Sequence, residues 1–413
     1  MKETMQTLLP SFPANINLSK EFRLLISCSW LAEGDYTRVQ NERINSLCTE
    51  GVDWKSFLNL VERHRMPTLA YVTLHRHAEQ FLPAWVKKAL KERSDNARKQ
   101  ALLIGAELVR LANLLTAKGI EFIPLRGALL SLRLYGDPGI RHMKDLDILV
   151  KPEDVESADR LLTSEGYICT IPGYDLTEKQ RKYFLAEGYH YNYYHPGRGI
   201  EIELHWGSNL WTSEQVSELW AGVGSLEWMG INFNCLDEDH LLLFLCGHGA
   251  GHKWFRLKWL SDIAPLISRQ RPEGWERLIA ISERLDLSRS LAQASLLSHW
   301  MYDIPLPEPI LLLLEKEKVS FSLTIKAVEA MNDTDDMEVM GKRLDSLRSA
   351  WYFLRLRKYA VSFNSLKRLF VCPRDFNDFP LPDSLFWLYG PLRPFFWFFR
   401  HFVRHNRKAV DIH

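Results

Sequence analysis

The sequence lacks the features that mark disulfide-rich, zinc-binding or strongly charged proteins. Its six cysteines are scattered along 413 residues without a CxxC pair, so neither a disulfide framework nor a zinc knuckle is predicted. Lys and Arg number 52 against 51 Asp and Glu, a formal net charge of +1. No global field therefore attracts nucleic acid or acidic lipid, and sequence-specific nucleic-acid binding is not expected.

The sequence also predicts neither a signal peptide nor a membrane-spanning segment. The first residues, 1–4, are not followed by the apolar segment of a signal peptide, and no run of uninterrupted apolar residues reaches the length of a membrane span. We therefore expect a cytoplasmic protein. No internal repeat or low-complexity tract is present, and the length predicts two or three globular domains.

The patterns along the chain divide it into four regions. We predict an N-terminal helical region at 1–95, a mixed core of strands and helices at 96–236 and a helical domain at 237–330. The last region, 331–413, is predicted to be an acidic loop followed by an aromatic, proline-punctuated helical tail. From about residue 213 onward the chain is interpreted as helical.

Two aspartates lead a short apolar run at residues 145–150. In a β-strand the side chains alternate between faces, so Asp145 and Asp147 point the same way while their apolar neighbours point into a core. Two carboxylates on one rigid face repel each other unless a cation lies between them, which is typical of a Mg²⁺ site. A lone DxD can equally be a charged strand edge.

Upstream of the aspartates, a strand, a glycine turn and a helix follow one another. The strand is predicted at 121–125, the turn at Arg126-Gly127 and the helix at 128–135. This order presents backbone N–H groups at a helix N-terminus, where a phosphate is stabilised. Many αβ proteins have a glycine at such a turn, so the ligand stays open.

A β-hairpin downstream carries further acids. Its second strand, 200–206, alternates strictly, so that Glu201, Glu203 and His205 share one face. Either glutamate can act as the third carboxylate of a metal site, and His205 is interpreted as structural. Gly127, the two aspartates and one of these glutamates form the arrangement used in metal-dependent nucleotidyl transfer, which needs strong charge neutralisation around phosphorus.

Several motifs resemble the uncharacterised nucleotidyltransferase family of the DNA polymerase β-like superfamily. They are Leu125-Arg126-Gly127-Ala128, Leu134-Tyr135-Gly136-Asp137-Pro138, the stretch from Arg141 to Val150, and Glu203-Leu204-His205-Trp206. The resemblance implies an α+β fold with a polymerase β-like nucleotidyltransferase core, a small mixed sheet with helices, embedded in helical N- and C-terminal regions. The core would be residues 96–236.

The resemblance also implies roles for individual residues. Asp145, Asp147 and Glu203 would be the catalytic metal ligands, expected to hold two Mg²⁺ ions, and Gly127 would lie in the phosphate-facing turn. Glu203 is preferred to Glu201 because it matches the family position beside His205-Trp206.

Two departures from the family pattern occur at the turn. Arg126 stands where the family usually has lysine, and Ala128 stands where the superfamily usually has serine. Arginine contacts phosphate at least as well as lysine, through two parallel hydrogen bonds. Arg126, Arg141 and Lys144 are therefore predicted to bind nucleotide phosphate, and the alternative for Arg141 is an ion pair with a nearby acid.

The resemblance implies an enzyme that moves NMP from an NTP to an unknown acceptor, which would be a small molecule, a glycan precursor or a peptide in a biosynthetic pathway. Two alternatives stay open. One is a non-catalytic binding module that keeps the fold, and the other is a related phosphotransferase that uses the same acids.

Two further patterns lie outside these motifs. His248 and His252 have a spacing that can bind zinc, but HGAGH lacks the glutamate of a zinc protease, and Asp262 is expected to pair with Trp259 or Arg256. The tail, 386–404, interleaves aromatic residues with arginine. It is interpreted either as a peripheral membrane anchor or as a helix packed on the main body.

Overall fold

The computed structural model describes residues 11–31, 34–207, 213–333, 351–357 and 371–399. The predicted acidic loop beyond residue 333 and the basic end of the tail beyond residue 399 lie outside these ranges. All six cysteines lie inside them and are free thiols, which agrees with the predicted absence of a disulfide framework.

The chain begins with a helical region, as the sequence predicts. Its helices are α1 (Lys20–Ser27), α2 (Asp35–Thr49), α3 (Trp54–Arg63), α4 (Pro67–His77) and α5 (Ala84–Ala117). Asp53 caps α3, because its carboxylate accepts hydrogen bonds from the backbone N–H groups of Lys55 and Ser56. Pro67 occupies the first turn of α4, where its missing N–H costs no hydrogen bond.

The long helix α5 begins in the predicted N-terminal region and extends past residue 96 into the predicted core. Over part of its length it is apolar enough, and long enough, to cross a membrane by composition alone, and 44% of that window is buried. The buried side chains repeat at helical spacing, as in Ile104, Leu108, Leu111 and Leu115. Length and composition do not distinguish a membrane span from a core helix, and this burial pattern is that of a helix packed along one face.

The mixed sheet confirms the predicted α+β class. Its strands are β1 (Phe122–Pro124), β2 (Asp145–Val150), β3 (Ile168–Ile171), β4 (His190–His195) and β5 (Ile200–His205), in the order β1-β2-β5-β4-β3. The predicted hairpin is present, with β4 antiparallel to β5 and Asn192 opposite Glu203. Burial alternates along β5, as its sequence predicts.

A second hairpin contradicts the helical interpretation of the chain after residue 213. Following α9 (Ser213–Ala221), strands β6 (Val223–Trp228) and β7 (Ile231–Leu236) pair antiparallel. The two residues between them, Met229 and Gly230, both have positive φ, at 54° and 76°. Such a two-residue turn matches the twist of a hairpin, and the alternating Ile231-Asn232-Phe233-Asn234 was the strand signal in the sequence.

The remaining helices connect the strands and build the C-terminal half. They are α6 (Ala128–Tyr135), α7 (Val155–Ser164), α8 (Glu178–Glu187), α10 (Glu238–Gly251), α11 (Leu257–Arg269), α12 (Gly274–Arg284), α13 (Ser288–Tyr302), α14 (Glu308–Lys316), α15 (Val319–Asn332), α16 (Pro373–Asp378) and α17 (Tyr389–Phe398). Three-residue 3-10 helices lie at Glu79–Phe81 and Pro152–Asp154, a longer one at Asp383–Leu388, and residues 351–356 are helical.

The chain forms two compact units that are each discontinuous in sequence. One contains residues 1–113, 123–146 and 217–358, and the other contains 114–122, 147–216 and 359–413. In the first unit α10, α11 and α13 pack together through fully buried leucines such as Leu243, Leu260 and Leu297. In the second unit Phe376, Tyr389 and Phe396 form a cluster that Tyr174 and Tyr183 cover. The four-region division by sequence stays a prediction.

Candidate active site

Strand β5 and its neighbour β2 bring two acids and a histidine together. The Nε2 atom of His205 lies 3.4 Å from Oδ1 of Asp147 and 3.2 Å from Oε2 of Glu203. One ligand atom from each of the three residues lies within 4.8 Å of the others. Glu203 and His205 are two residues apart on β5, so the alternation of the strand places both on one face. We call these three residues the acidic group.

The electrostatics of the acidic group come from the burial of charged side chains. Asp147 is 4% exposed, and an isolated buried carboxylate is costly unless a cation or a hydrogen bond compensates it. Burial alone lowers the pKa of His205, but hydrogen bonds to Asp147 and Glu203 outweigh it and raise this pKa above its ordinary value. The close contacts of His205 with both carboxylates therefore favour its charged form.

A second histidine contacts the ring of His205. The two ring centroids of His190 and His205 lie 5.3 Å apart, as expected for residues opposite each other on β4 and β5. Burial lowers the pKa of His190 to about 4, and the neighbouring His205 charge acts in the same direction. His190 is consequently neutral at neutral pH.

The donor set of the acidic group suits a divalent cation. Two carboxylates are the hard oxygen ligands that Mg²⁺ and Mn²⁺ prefer, and an imidazole adds affinity for first-row transition metals. Glu203 is 28% exposed at its side chain, so the group is accessible from solvent on one side. The residues present therefore fit a metal site that also admits a ligand.

The other predicted acids lie beside this group without belonging to it. Asp145 begins β2 two residues before Asp147, so strand alternation places both aspartates on one face. Glu201 lies two residues before Glu203 on the same face of β5. Among the described residues, the ligand group contains Glu203 and neither Asp145 nor Glu201. The assignment of Asp145 as a metal ligand stays a prediction.

The predicted phosphate turn has the geometry that its glycine permits. Gly127 is the N-cap of α6 with φ +80°, a left-handed conformation that residues with a Cβ rarely adopt. The side chain of the preceding residue, Arg126, is half-buried, and its Nη1 lies 2.5 Å from Nε2 of His248. Burial, then the charge of Arg126, lower the pKa of His248 well below its ordinary value. Neutral His248 thus accepts a hydrogen bond from Arg126.

The two basic residues before β2 differ in their surroundings. Nε of Arg141 donates to both carboxylate oxygens of Asp262, at 2.9 Å each, whereas Lys144 is exposed. The expected pairing of Asp262 with Trp259 or Arg256 is therefore wrong, because its carboxylate binds an arginine that is distant in sequence. Phosphate binding by Arg126, Arg141 and Lys144 stays a prediction.

The surroundings of two residues, His205 and Lys258, were not predicted from the sequence. His205 was interpreted as structural, although its position on the face of Glu203 was a usable signal. Lys258, the second residue of α11, carries an electrostatic interaction with Arg126 and Arg141. No local sequence pattern predicts that, since the three residues come from distant segments.

A comparison with known families identifies the family of the chain. A family model described as "Uncharacterised nucleotidyltransferase" matches residues 50–303, more than half of the chain. The chain belongs to the uncharacterised nucleotidyltransferase family. The resemblance seen in the motifs is thereby confirmed, and all residues of the acidic group and of the Gly127 turn lie inside the matched range.

Membership in this nucleotidyltransferase family supports transfer of a nucleoside monophosphate, with an NTP as substrate. Nucleotidyltransferases typically use divalent metals, and the acidic group offers ligands for one. The aromatic tail lies beyond the matched residues. No curated protein and no solved structure matches the chain.

Proposed function

We propose that the protein is an enzyme that transfers NMP from an NTP to an acceptor nucleophile and releases pyrophosphate. The observation that carries the proposal is the acidic group, Asp147, Glu203 and His205 on neighbouring strands, in a chain of the nucleotidyltransferase family. An acidic group of this kind is what in-line displacement at phosphorus requires, because the reaction depends on charge neutralisation and positioning.

The metal ligands are proposed to be Asp145, Asp147 and Glu203, with His205 beside them. They would hold two Mg²⁺ ions, which supply charge neutralisation at the phosphoryl oxygens when bound. In the transfer, the acceptor oxygen bonds to the α-phosphorus and the bond from this phosphorus to the pyrophosphate oxygen breaks. Glu203, the partly exposed acid, accepts the proton of the acceptor.

The phosphate-binding residues are proposed to be Arg126, Gly127, Arg141 and Lys144. The backbone at Gly127 opens the N-terminus of α6, where an anion is stabilised by the helix dipole. The acceptor is proposed to be a small molecule, a glycan precursor or a peptide of a biosynthetic pathway, with the enzyme in the cytoplasm.

A non-catalytic binding module is the second candidate function. Ala128, at the first position of α6, supplies no hydroxyl to a phosphate, which favours a fold that binds without turnover. Arg126 provides a guanidinium at the same turn, and the acidic group is intact. These two observations favour the enzyme.

A peripheral contact with an anionic membrane surface is proposed in addition. On and beside α17 the side chains of Trp387, Phe395 and Phe398 are 68%, 59% and 52% exposed, while Tyr389 and Phe396 are buried in the second unit. The sequence after residue 399 contains Arg400, Arg404, Arg407 and Lys408. Exposed aromatic residues next to basic ones suit an interface with anionic lipid.

The transfer reaction is tested with each labelled NTP and Mg²⁺, alone and with cell extract as the source of acceptor. Asp147→Asn and Glu203→Gln should each lower product formation at least about a hundredfold, since each removes a metal-binding charge. Glu201→Gln is the matched control, one pleat away on the same face of β5, and should keep most activity. Undiminished turnover by Asp147→Asn would exclude the catalytic assignment.

A further inference from the structure

Basic side chains converge around the start of α11 in the first compact unit. Lys258 interacts electrostatically with Arg65, Arg126 and Arg141, and His142 interacts with Lys258, Arg65 and Arg256. These residues come from the loop after α3, the turn before α6, the loop before β2 and the first turn of α11. His248, on α10, accepts a hydrogen bond from Arg126. We call Arg65, Arg126, His142, His248 and Lys258 the basic cluster.

The acid that acts on Lys258 is already bound to another residue. Asp262 is a carboxylate that raises the pKa of Lys258, and both of its oxygens accept hydrogen bonds from Nε of Arg141. The Lys258 ammonium forms neither an ion pair nor a hydrogen bond with the described residues, although its backbone carbonyl accepts a hydrogen bond from Oγ of Ser261. Its ammonium is therefore held among like charges without a counter-charge of its own.

Holding Lys258 in this place destabilises its charged form. Burial, then the charges of Arg141, Arg65 and Arg126, lower the pKa of Lys258 well below its ordinary value. A half-buried ammonium that lacks a partner costs free energy in the folded protein. A strained charge of this kind is typical of a binding site, where a ligand supplies the missing counter-charge.

The groups around Lys258 have the chemistry of a phosphate site. Nδ1 of His142 is buried without a hydrogen-bond partner among the described residues. Helix α11 begins at Leu257, and its N-cap Arg256 supplies no side-chain hydrogen bond to the first turn, so the positive end of the helix dipole adds to the cluster. A guanidinium and an ammonium together bind a phosphate by paired hydrogen bonds and by charge.

The backbone near the basic cluster is held in an uncommon conformation. Arg65 has φ +54°, in the left-handed region that residues with a Cβ rarely adopt. The preceding residue, His64, is fully buried and accepts a hydrogen bond at Nδ1 from the backbone N–H of Leu257, at 3.0 Å. This bond ties the Arg65 turn to the start of α11 and so fixes two members of the cluster relative to each other.

The ligand class follows from the number of charges and from their compactness. The cluster brings the basic side chains of Arg65, Arg126 and Lys258 together with two neutral histidines in the first unit, whereas the chain as a whole has a net charge of only +1. An extended nucleic acid is held by a basic stripe or face. A compact site with concentrated charge matches a short chain of condensed phosphates.

We propose that the basic cluster binds the polyphosphate chain of the NTP, with Lys258 as a phosphate ligand beside Arg126. This inference rests on the proposed function for the identity of the nucleotide. It adds Lys258, Arg65 and His142 to the phosphate-binding residues, and it explains why α11 carries a lysine where an apolar residue would stabilise the fold.

The test is calorimetric titration of the full chain with inorganic tripolyphosphate, without metal and without turnover. Lys258→Met should weaken binding about ten- to a hundredfold, as expected for loss of one charge-assisted contact, while Lys258→Arg should retain most of it. Lys55→Met is the matched control, because Lys55 is the exposed second residue of α3. Its binding should equal that of the wild type.

Thermal unfolding separates a binding role from a structural one. Lys258→Met should raise Tm without ligand, because it removes a half-buried charge, and it should show a smaller Tm increase with tripolyphosphate than the wild type. A lower Tm combined with unchanged tripolyphosphate affinity would overturn the proposal. So would an absence of tripolyphosphate binding by the wild type.

The outcome is independent of the transfer reaction. Asp147→Asn should still bind tripolyphosphate in a Lys258-dependent way, even if no NTP is turned over by the wild type. Tripolyphosphate binding without any NTP turnover by the wild type would reject the proposed function and keep the phosphate site. Turnover of NTP with the same KM in Lys258→Met and wild type would keep the proposed function and reject Lys258 as a phosphate ligand.

Discussion

Arg141 and Asp262 form a buried ion pair across 121 residues of sequence, with Nε of the arginine 2.9 Å from each carboxylate oxygen. The arginine and aspartate side chains are 6% and 1% exposed. Asp262 is the acid in a neighbourhood that also contains Lys258 and other cations. The two halves of this pair are therefore unequal in their importance for stability.

Asp262→Asn should destabilise the protein by about 3–5 kcal/mol, because it leaves the buried Arg141 charge without compensation among other cations. Arg141→Met should cost less, since the remaining carboxylate still has the positive charge of Lys258 nearby. Urea unfolding of both variants checks the order. Equal losses of unfolding free energy, or a larger loss in Arg141→Met, would contradict this prediction. The surrounding cations would then not make removal of the Asp262 charge the costlier change.

His205 should affect the choice of metal. If its imidazole binds the ion together with Asp147 and Glu203, His205→Asn should lower Mn²⁺ affinity about tenfold or more and Mg²⁺ affinity much less, because nitrogen ligands favour transition metals. Calorimetric titration with both ions measures the ratio. His195→Asn, at the other end of the same hairpin, should leave it unchanged.

A different outcome would assign His205 another role. Loss of Mn²⁺ and Mg²⁺ affinity by the same factor would indicate that the histidine only orients the carboxylates through its hydrogen bonds. The contacts at 3.2 Å and 3.4 Å would then persist in the metal-bound protein.

Stability should fall on acidification, in part because of His64. Burial first, and then Arg63 and Arg256, lower the pKa of this residue to about 3, so the folded protein keeps it neutral while the unfolded chain takes up a proton below its ordinary value near 6.5. The unfolded state therefore binds more protons between these values. The contribution of His64 is present above pH 6.5 and is lost, at about 1.4 kcal/mol per pH unit, as the pH falls toward 3.

The variant His64→Asn isolates this contribution, because its amide oxygen can still accept the hydrogen bond from Leu257. The free energy of unfolding, measured at several pH values from 7 to 5, should fall less steeply in His64→Asn than in the wild type. Identical slopes would mean that His64 does not stay neutral in the folded state. Its ring also stacks on Phe22, so a constant offset between the curves is expected.

The aromatic surface of the second unit should bind anionic vesicles. Replacing Trp387, Phe395 and Phe398 together by serine should lower sedimentation with phosphatidylserine vesicles severalfold, without unfolding the protein, since these side chains are exposed. Trp85→Ser is the control, because Trp85 is also more than half exposed, on α5. Failure of the intact chain to sediment with these vesicles would contradict the proposed membrane contact.

The sequence determined the local structure around the site. The alternation of β5 placed Glu203 and His205 on one face, the glycine at 127 fixed the turn before α6, and Asp53 and Asp237 cap their own helices. These features depend on neighbours within a few residues, and the family motifs lie in the same short segments. The hairpin β6–β7 carried an equally local signal that the helical interpretation overlooked.

Only the tertiary structure decided which distant residues meet. It joined His205 to Asp147, paired Arg141 with Asp262 and brought Lys258 near Arg126. Sequence spacing says nothing about contacts between segments separated by 58 or 121 residues, because these depend on how strands order in the sheet and how helices pack. The ionisation of buried groups follows from those contacts, and so the charge distribution behind the proposed phosphate and metal sites emerges only from the folded chain.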